Sequence, residues 1–200
     1  MLELSLHILD VLENAVEAGA ARIELTIDED RVKDTMRIEV KDNGRGMSRE
    51  LRETVLDPFV TTRTTRRVGL GLPLLAAAAR RCEGDVSVES EPGRGTRVEA
   101  TFRHSHLDRA PLGDITSTLL AVVLAQAPVD VAYTHQVDGR RFEFDTAQVR
   151  AELGDLPLGQ GPVRQWIEQT VREGEASLRQ ARPMELNASL SRAAKQRGKV

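Results

Sequence analysis

Residues 42–47 read DNGRGM, in which one carboxylate precedes two closely spaced glycines. Just before this segment, residues 36–41 alternate apolar and polar side chains, which predicts a β-strand. Residues 22–27 alternate in the same way, and the polar stretch 28–34 between the two segments is typical of a hairpin turn. The carboxylate and the glycines are therefore predicted to lie in a loop at the end of a hairpin strand.

The composition of this loop suits recognition of a nucleoside. Asp42 can accept a hydrogen bond from an exocyclic amine such as that of adenine. Gly44 and Gly46 permit positive φ angles and let a flat base approach the backbone closely. A tight turn rich in aspartate and glycine would explain the same residues, so the loop alone leaves both interpretations open.

An amphipathic helix is predicted to precede the hairpin, over residues 2–18, because its apolar residues recur at helical spacing. Asp10 and Asn14 are one helical turn apart and share a face. The amide oxygen of Asn14 can ligate Mg²⁺, and Asp10 can accept a proton from a water molecule. Glu13 is a second candidate for the acidic role. Alone, this pattern also fits a solvated helix face.

A segment without periodicity, residues 57–68, leads into a helix predicted over residues 70–82. Glycines at a helix start leave backbone N–H groups for an anion, and hydroxyl and guanidinium groups supply further donors for a triphosphate. No Gly-Lys-Ser/Thr follows, so this is not a Walker-type loop. A basic loop without a ligand is the alternative. The candidate phosphate-binding residues are Thr61, Thr62, Arg63, Gly69, Leu70, Gly71 and Leu72.

A second glycine turn, residues 93–96 (GRGT), joins strands predicted over residues 85–90 and 96–103. The Thr96 hydroxyl can support Asp42 or a water molecule beside a bound base. An ordinary hairpin would have the same sequence.

Five of these segments, taken in order, resemble the conserved boxes of the GHKL (Bergerat-fold) superfamily. That superfamily includes gyrase-type topoisomerases, large heat-shock chaperones, bacterial histidine kinases and MutL-type repair proteins. The resemblance extends over about residues 4–103 and is strongest to the ATP domains of histidine kinases. The segments are LENAVEAGA (12–20), DNGRGM (42–47), DPFVTT (57–62), RRVGLGLPLL (66–75) and GRGT (93–96).

The resemblance implies a fold and a set of site residues. The fold would be an α/β two-layer sandwich, with a mixed, mostly antiparallel sheet and helices on one face. ATP and Mg²⁺ would be the cofactors, with Asn14 as the metal ligand and Asp42 as the partner of the adenine amine. The implied roles of the other residues are shaping of the base pocket by Gly44 and Gly46, phosphate contacts by Gly69 and Gly71, and support of the adenine end by Thr96.

The chain departs from the family pattern at one catalytic position. Hydrolytic members carry a glutamate four residues before the asparagine, whereas this chain has Asp10 there. Aspartate is one methylene shorter, which implies weaker activation of water. The departure bears on hydrolysis and leaves the implied nucleotide binding intact.

The second half of the chain is predicted to form a separate small α+β domain, residues 105–180, with the ATP-binding domain ending near residue 104. Two strands are predicted over residues 129–136 and 141–144, and Trp166 is expected to anchor the last helix by packing. Residues 181–200 carry five basic residues against one acidic residue, and a disordered tail is predicted there.

One segment of this second half resembles a phospho-acceptor box. His106, Arg109 and Pro111 have the spacing of a His-x-x-Arg-x-Pro-Leu box, but Leu107 stands where such boxes carry an acidic residue. A linker between the two halves is the alternative interpretation.

The bulk composition limits the partners and the kinds of protein that are indicated for this chain. The chain has 200 residues, a net charge of −3 and 40% hydrophobic residues, so neither nucleic acid nor a charged membrane is indicated as a partner. Cys82 is the one cysteine, so no internal disulfide is expected. The longest apolar stretch, residues 119–125, is far shorter than a membrane span needs. We therefore expect a soluble, cytoplasmic protein.

Three functions remain open at the level of sequence. The first is an ATP-dependent switch or ATPase that acts with a protein partner of unknown identity. The second is a protein kinase that phosphorylates a histidine or serine of a partner. The third is a nucleotide-binding interaction module without turnover.

Overall fold

The computed structural model describes residues 3–57, 71–125, 129–154 and 156–180. Its helices are α1 (Leu4–Glu17), α2 (Arg49–Thr54), α3 (Gly71–Arg81), α4 (Ile115–Val123), α5 (Thr146–Leu153) and α6 (Gly161–Gln180). Its strands are β1 (Arg22–Asp30), β2 (Thr35–Asp42), β3 (Val86–Glu91), β4 (Gly95–Arg103), β5 (Asp130–Val137) and β6 (Arg140–Asp145). The elements for which the sequence predicted a range occur in the predicted order, and their bounds lie within three residues of the predicted ones.

The strands form one sheet in the order β3-β4-β2-β1-β5-β6. All neighbouring pairs are antiparallel except β1 and β5, which run parallel from the pair Arg22–Asp130 to the pair Glu29–Val137. The predicted mixed, mostly antiparallel sheet is therefore confirmed. The strands β5 and β6 extend the sheet of the first half, so the sheet continues across the predicted boundary near residue 104.

The helices cover one face of this sheet. Inward-facing residues of β1, such as Ile23, Leu25 and Ile27, are fully buried, and those between them are partly or fully exposed. The inward residues join α1, α3, α4 and α6 in one hydrophobic core. The fold is thus a two-layer α/β sandwich, as predicted, and the core is shared by both halves of the chain.

The other face of the sheet is polar. Arg37 of β2 lies 3.2 Å from Glu99 of β4, and Arg97 of β4 lies 2.8 Å from Glu39 of β2. These side chains lie on adjacent strands, where cross-strand pairs of opposite charge are favourable. The alternation of apolar and charged residues in β2 and β4 therefore reflects a sheet with one covered face and one solvated face.

Close packing of α6 on β6 depends on a glycine. A Cβ atom at Gly174 would overlap the ring of Phe142, so only glycine allows the helix to approach this closely. The side chains of Ile167 and Val171, each 1% exposed, attach α6 to the core. Trp166 is 50% exposed, so the prediction that it anchors this helix is wrong. No helix in the described part of the chain combines the length and apolar character needed to cross a bilayer.

A buried ionic cluster joins β1, β5 and α6. Glu175 of α6 accepts hydrogen bonds from the Tyr133 hydroxyl at 2.7 Å and from Nδ1 of His135 at 2.9 Å. Nε2 of His135 lies 3.1 Å from Glu29, whose second carboxylate oxygen lies 2.8 Å from Nε2 of His104. His135 and Glu175 are only 2% and 6% exposed, so the charges compensate one another inside the protein.

This arrangement shifts two pKa values in opposite directions. Burial opposes the charge on His135, but hydrogen bonds to Glu175 and Glu29 outweigh it and raise the pKa of His135 to about 9. Burial likewise opposes the charge on Glu29, but hydrogen bonds from His135 and His104 outweigh it and lower the pKa of Glu29 to about 2. Both groups are therefore charged at neutral pH.

The stability of the fold is expected to depend on pH through these two groups. Because folding raises the pKa of His135 from 6.5 to about 9, its contribution is complete below pH 6.5 and is lost as the pH rises through 9. Because folding lowers the pKa of Glu29 from 4.5 to about 2, its contribution is complete above pH 4.5 and is lost as the pH falls through 2. Both contributions are therefore complete between pH 4.5 and pH 6.5, where the cluster stabilises the fold most.

Urea titrations at about pH 6 and about pH 9.5 check this expectation. The free energy of unfolding should fall between the two pH values by on the order of 3 kcal/mol more in the wild type than in His135→Gln. His106→Gln is the matched control, because it also removes one histidine but leaves the cluster intact. Equal pH dependence in the wild type and His135→Gln would contradict the assignment.

Candidate nucleotide-binding site

Asp42 is the last residue of β2 and lies opposite Thr96 of β4. Its side chain is buried, and Oδ1 accepts a hydrogen bond from the Gly44 N–H at 2.7 Å. Burial raises the pKa of Asp42, although the backbone N–H groups of Gly44 and Thr96 act in the opposite direction. The strand end and the glycine loop thus fix a carboxylate that can accept a hydrogen bond from a base.

Two glycines lock the loop 42–47 against the turn 93–96. Gly46 and Gly95 have φ angles of 66° and 85°, in the region that favours glycine. A Cβ at Gly46 would overlap the carbonyl of Glu91, and a Cβ at Gly95 would overlap the carbonyl of Asp42. The space left by the missing side chain of Gly46 is therefore occupied by protein backbone, and the two loops form one rigid unit around Asp42.

Ser90 is a site residue that the sequence reasoning missed. Its Oγ accepts from the Met47 N–H at 2.8 Å, donates to the Gly95 carbonyl at 2.9 Å and lies 3.0 Å from Oγ1 of Thr96. Because the single Ser90 hydroxyl hydrogen is directed to Gly95, the Thr96 hydroxyl donates to Ser90. Thr96, predicted to support Asp42, is thus itself oriented by Ser90. A serine near a strand end carries no recognisable signal in sequence.

The same loop holds the C-terminal end of α1. Oδ1 of Asn43 accepts hydrogen bonds from the N–H groups of Ala21 and Arg22, each at 2.9 Å. Arg45 donates its backbone N–H to the Ala18 carbonyl at 2.9 Å. A Cβ at Gly44 would lie 2.9 Å from that of Ala18, closer than side chains normally approach. The helix that carries Asp10 and Asn14 is therefore fixed relative to Asp42.

On α1, Asp10 and Asn14 are half-buried, whereas Glu13 is exposed. Asp10 lies beside the first residue of α3, because a Cβ at Gly71 would be 2.8 Å from the Cβ of Asp10. A glycine at this point allows α3 to begin directly beside the carboxylate. Of the two candidate acids, Asp10 is the one that the structure places at the start of α3.

The predicted phosphate-binding residues are only partly described. Leu72 is 7% exposed and packs in the hydrophobic core, so its side chain contributes to folding, and only its backbone could reach a ligand. Gly71 begins α3, and the first N–H groups of a helix have no partner within the helix and favour an anion. The predicted ligands that lie outside the described residues are Thr61, Thr62, Arg63, Gly69 and Leu70.

The donor set on α1 fits a hard divalent cation that is shared with a nucleotide. Asn14 offers an amide oxygen and Asp10 a carboxylate, the ligand types that Mg²⁺ prefers. Within the described residues, no group of three histidine, cysteine, aspartate or glutamate side chains could hold a metal. Mg²⁺ usually binds through one or two protein groups together with phosphate oxygens, so a single protein ligand such as Asn14 is sufficient.

His106, the histidine of the phospho-acceptor-like segment, does not lie at this site, and the other histidine near Asp10 is inaccessible. His7 is buried in α1, and burial lowers its pKa. His106 donates its backbone N–H to the Arg103 carbonyl, at the end of the sheet where Thr35 begins β2. Asp42 ends β2, so the length of the strand separates His106 from Asp42 by roughly 23 Å. The geometry favours the linker interpretation of residues 104–112.

Comparisons with known proteins point to one family. A family model described as "Histidine kinase-, DNA gyrase B-, and HSP90-like ATPase" matches residues 2–106. The signal transduction histidine-protein kinase AtoS of Escherichia coli (strain K12) is 38% identical over 96 residues, covering 48% of this chain and 15% of AtoS. The sensor protein DegM of Bacillus sp. (strain B21-2) is 33% identical over 91 residues, covering 46% of this chain and 24% of DegM.

Among solved structures, full-length ShkA in complex with AMPPNP aligns with a TM-score of 0.42 and 26% identity, over 48% of this chain and 20% of that chain. The chain thus spans less than a quarter of the length of AtoS or DegM.

Proposed function

The chain belongs to the histidine kinase-, DNA gyrase B-, and HSP90-like ATPase family, and on this premise we propose that it is a Mg-ATP-dependent switch or ATPase that acts with a partner protein. The family match covers residues 2–106, the half of the chain that contains Asp42 and Asn14. An ATP-dependent regulator of this kind would act in the cytoplasm and take part in signal transduction.

One observation carries the proposal: a buried carboxylate is held rigidly at the end of a strand by two glycine-containing loops. Oδ1 of Asp42 is already occupied by the Gly44 N–H, so the carboxylate is oriented before any ligand binds. A preoriented acceptor in a buried position discriminates strongly between bases that do and do not donate there. Adenine, with its exocyclic amine, is the base that matches.

The proposed roles in binding Mg²⁺ and the phosphates and in hydrolysis follow from the position of α1 beside α3. Asn14 would hold Mg²⁺, which would neutralise charge on the phosphates. The N-terminus of α3 at Gly71 would bind the phosphates through backbone N–H groups. Asp10, next to Gly71, would accept the proton of an attacking water. Thr61, Thr62, Arg63 and Gly69 remain predicted phosphate ligands.

A second candidate function, a kinase that acts on a partner, is favoured by the relatives. AtoS is a histidine-protein kinase by name, and its match covers about half of this chain. The distance of His106 from Asp42 argues against His106 as the residue that accepts the phosphoryl group within the same molecule.

Incubation with ATP labelled at the γ-phosphate, with and without cell extract, separates these functions. Release of labelled phosphate supports the ATPase, and label transferred to another protein supports the kinase. Stable label on His106 would contradict both forms of the proposal. Binding without any turnover would reduce the function to a nucleotide-binding interaction module.

The variant Asp10→Asn is expected to bind Mg-ATP as the wild type does and to hydrolyse it about 10-fold more slowly. General bases commonly contribute more than this, but the shorter aspartate predicts a smaller effect. The amide keeps the size of the side chain beside Gly71 while removing its ability to accept a proton. Phosphate release under saturating ATP measures the effect.

Glu13→Gln serves as the control for this variant, because Glu13 lies on the same helix but is exposed. It should leave turnover unchanged. If Asp10→Asn hydrolyses ATP at the wild-type rate, or if Glu13→Gln is the slower variant, Asp10 is not the base.

A further inference from the structure

The second half of the chain reaches the proposed base pocket through a short series of polar contacts. β1 and β5 run parallel, so the start of β5 lies beside the start of β1, at the same end of the sheet as Asp42. β6 returns antiparallel to that end and leads directly into α5. α5 is therefore a neighbour of the nucleotide site, although more than a hundred residues separate it from Asp42 in sequence.

The first contact in the series lies in residues 42–47, the adenine loop. Asn43 follows Asp42 directly, and its Oδ1 accepts the N–H groups of Ala21 and Arg22, each at 2.9 Å. One amide oxygen thus fixes the two backbone positions at which β1 begins. A shift of this part of β1 would alter the position of Asn43, and with it the position of Asp42.

The second contact links β1 to α5. The guanidinium of Arg22 lies 3.4 Å and 2.7 Å from the two carboxylate oxygens of Asp145. Asp145 also caps α5, because its Oδ1 accepts from the Ala147 N–H at 2.9 Å. The side chains of Arg22 and Asp145 are 37% and 20% exposed. The hydrogen bond to Arg22 lowers the pKa of Asp145, so the carboxylate stays charged.

α5 is itself held firmly against β5. The Thr146 hydroxyl accepts from the Val131 N–H at 2.8 Å and donates to Asp130 at 3.1 Å, and Thr146 is fully buried. Arg150 reaches the same carboxylate at 3.0 Å. The helix therefore offers Arg22 a rigid partner.

We propose that α5, through its cap Asp145, positions Arg22 and the adenine loop and so sets the affinity of the site for adenine nucleotides. This inference rests on the proposed function, because it assumes that Asp42 and its loop bind adenine. Asp145 and Arg22 are positioning residues, since they act through Asn43. Nucleotide binding, in return, stabilises α5, because coupling between two sites is reciprocal.

The test is a double-mutant cycle on the pair Arg22–Asp145. Arg22→Gln removes the charge, and Asp145→Ser removes the carboxylate while keeping an oxygen that can cap α5. Each variant is expected to bind Mg-ATP and Mg-ADP about 5-fold more weakly, or worse, as measured by calorimetry. The double variant should lose no more than either single variant, because the two residues act through one contact.

Two controls keep the result independent of general folding defects. Arg31→Gln removes a comparable ion pair, Arg31–Asp138 at 3.1 Å, at the far end of β1, and should leave affinity unchanged. Arg22→Lys keeps the positive charge and should retain most of the wild-type affinity. Hydrogen exchange supplies a further readout, since Mg-ATP should slow exchange of the α5 amides in the wild type and not in Arg22→Gln.

The outcomes separate the inference from the function on which it rests. Wild-type affinity in Arg22→Gln and Asp145→Ser, or additive losses in the double variant, would overturn the inference while nucleotide binding stands. A wild-type protein that binds no adenine nucleotide would overturn both.

Discussion

Replacing Asp42 with asparagine is expected to eliminate the preference of the protein for ATP over GTP. In the wild type, Oδ1 accepts from the Gly44 N–H at 2.7 Å, and this backbone donor is fixed by the loop. In Asp42→Asn, the amide oxygen must keep that contact, because the amide nitrogen cannot accept a hydrogen bond. The NH₂ group then faces the base, where it would meet the exocyclic amine of adenine as donor against donor.

The expected loss of Mg-ATP affinity is about 100-fold, since a charged hydrogen bond is lost and a buried donor is left without an acceptor. Guanine presents a carbonyl where adenine has its amine, so the affinity for Mg-GTP should rise relative to the affinity for Mg-ATP. Calorimetry with both nucleotides measures the change. Asp108→Asn is a suitable control, because it makes the same chemical change beside His106, at the opposite end of the sheet. Unchanged selectivity in Asp42→Asn would mean that Asp42 does not contact the base.

Removal of the Asn14 side chain is expected to abolish the Mg²⁺-dependent part of ATP binding. Asn14→Ala deletes an amide oxygen on the half-buried face of α1 and leaves the apolar face of the helix unchanged. In the presence of Mg²⁺, ATP affinity should fall about 100-fold or more, while the affinity measured with a chelator present should change little.

Asn14→Asp distinguishes loss of a ligand from damage to the helix, because it preserves an oxygen at the same position. This variant should retain Mg²⁺-dependent binding. A melting temperature close to that of the wild type would show that Asn14→Ala is folded. If Mg²⁺ strengthens ATP binding equally in Asn14→Ala and the wild type, another residue holds the metal.

Local patterns in the sequence were enough to predict the elements of this fold. The alternation in residues 36–41 and the helical spacing in residues 2–18 each reflect one covered and one solvated face, and such a pattern is complete within a few residues. The two-layer arrangement followed from the resemblance of five segments, each of which holds a glycine or a polar residue at a defined place.

The strand order could not be predicted in the same way. The sequence of β5 does not indicate that this strand pairs in parallel with β1. Which strands become neighbours depends on how all the helices pack on the sheet. The buried cluster of Glu29, His135 and Glu175 is non-local for the same reason, since its members are distant in sequence. His135 lies in the predicted strand 129–136, but the alternation of that strand does not indicate its buried ionic partners.

The candidate site shows the same division between local and distant contacts. Asp42 and the neighbouring glycines form a recognisable motif, so they could be proposed from sequence. Ser90 could not, because its role comes from contacts with Met47, Gly95 and Thr96 that only the folded loops bring together. The prediction for Trp166 was wrong because a large aromatic side chain usually packs in a core, whereas half of this one faces solvent.

The central place of β1 has a consequence for any attempt to isolate the half of the chain that matches the family. Eight residues of β1, from Arg22 to Glu29, are paired with β5. A fragment that ended near residue 106 would leave this row of N–H and C=O groups as an uncovered edge, with the apolar surface of α1 that now contacts α4 exposed beside it. Such edges recruit strands from other molecules, so the fragment would be prone to self-association and aggregation.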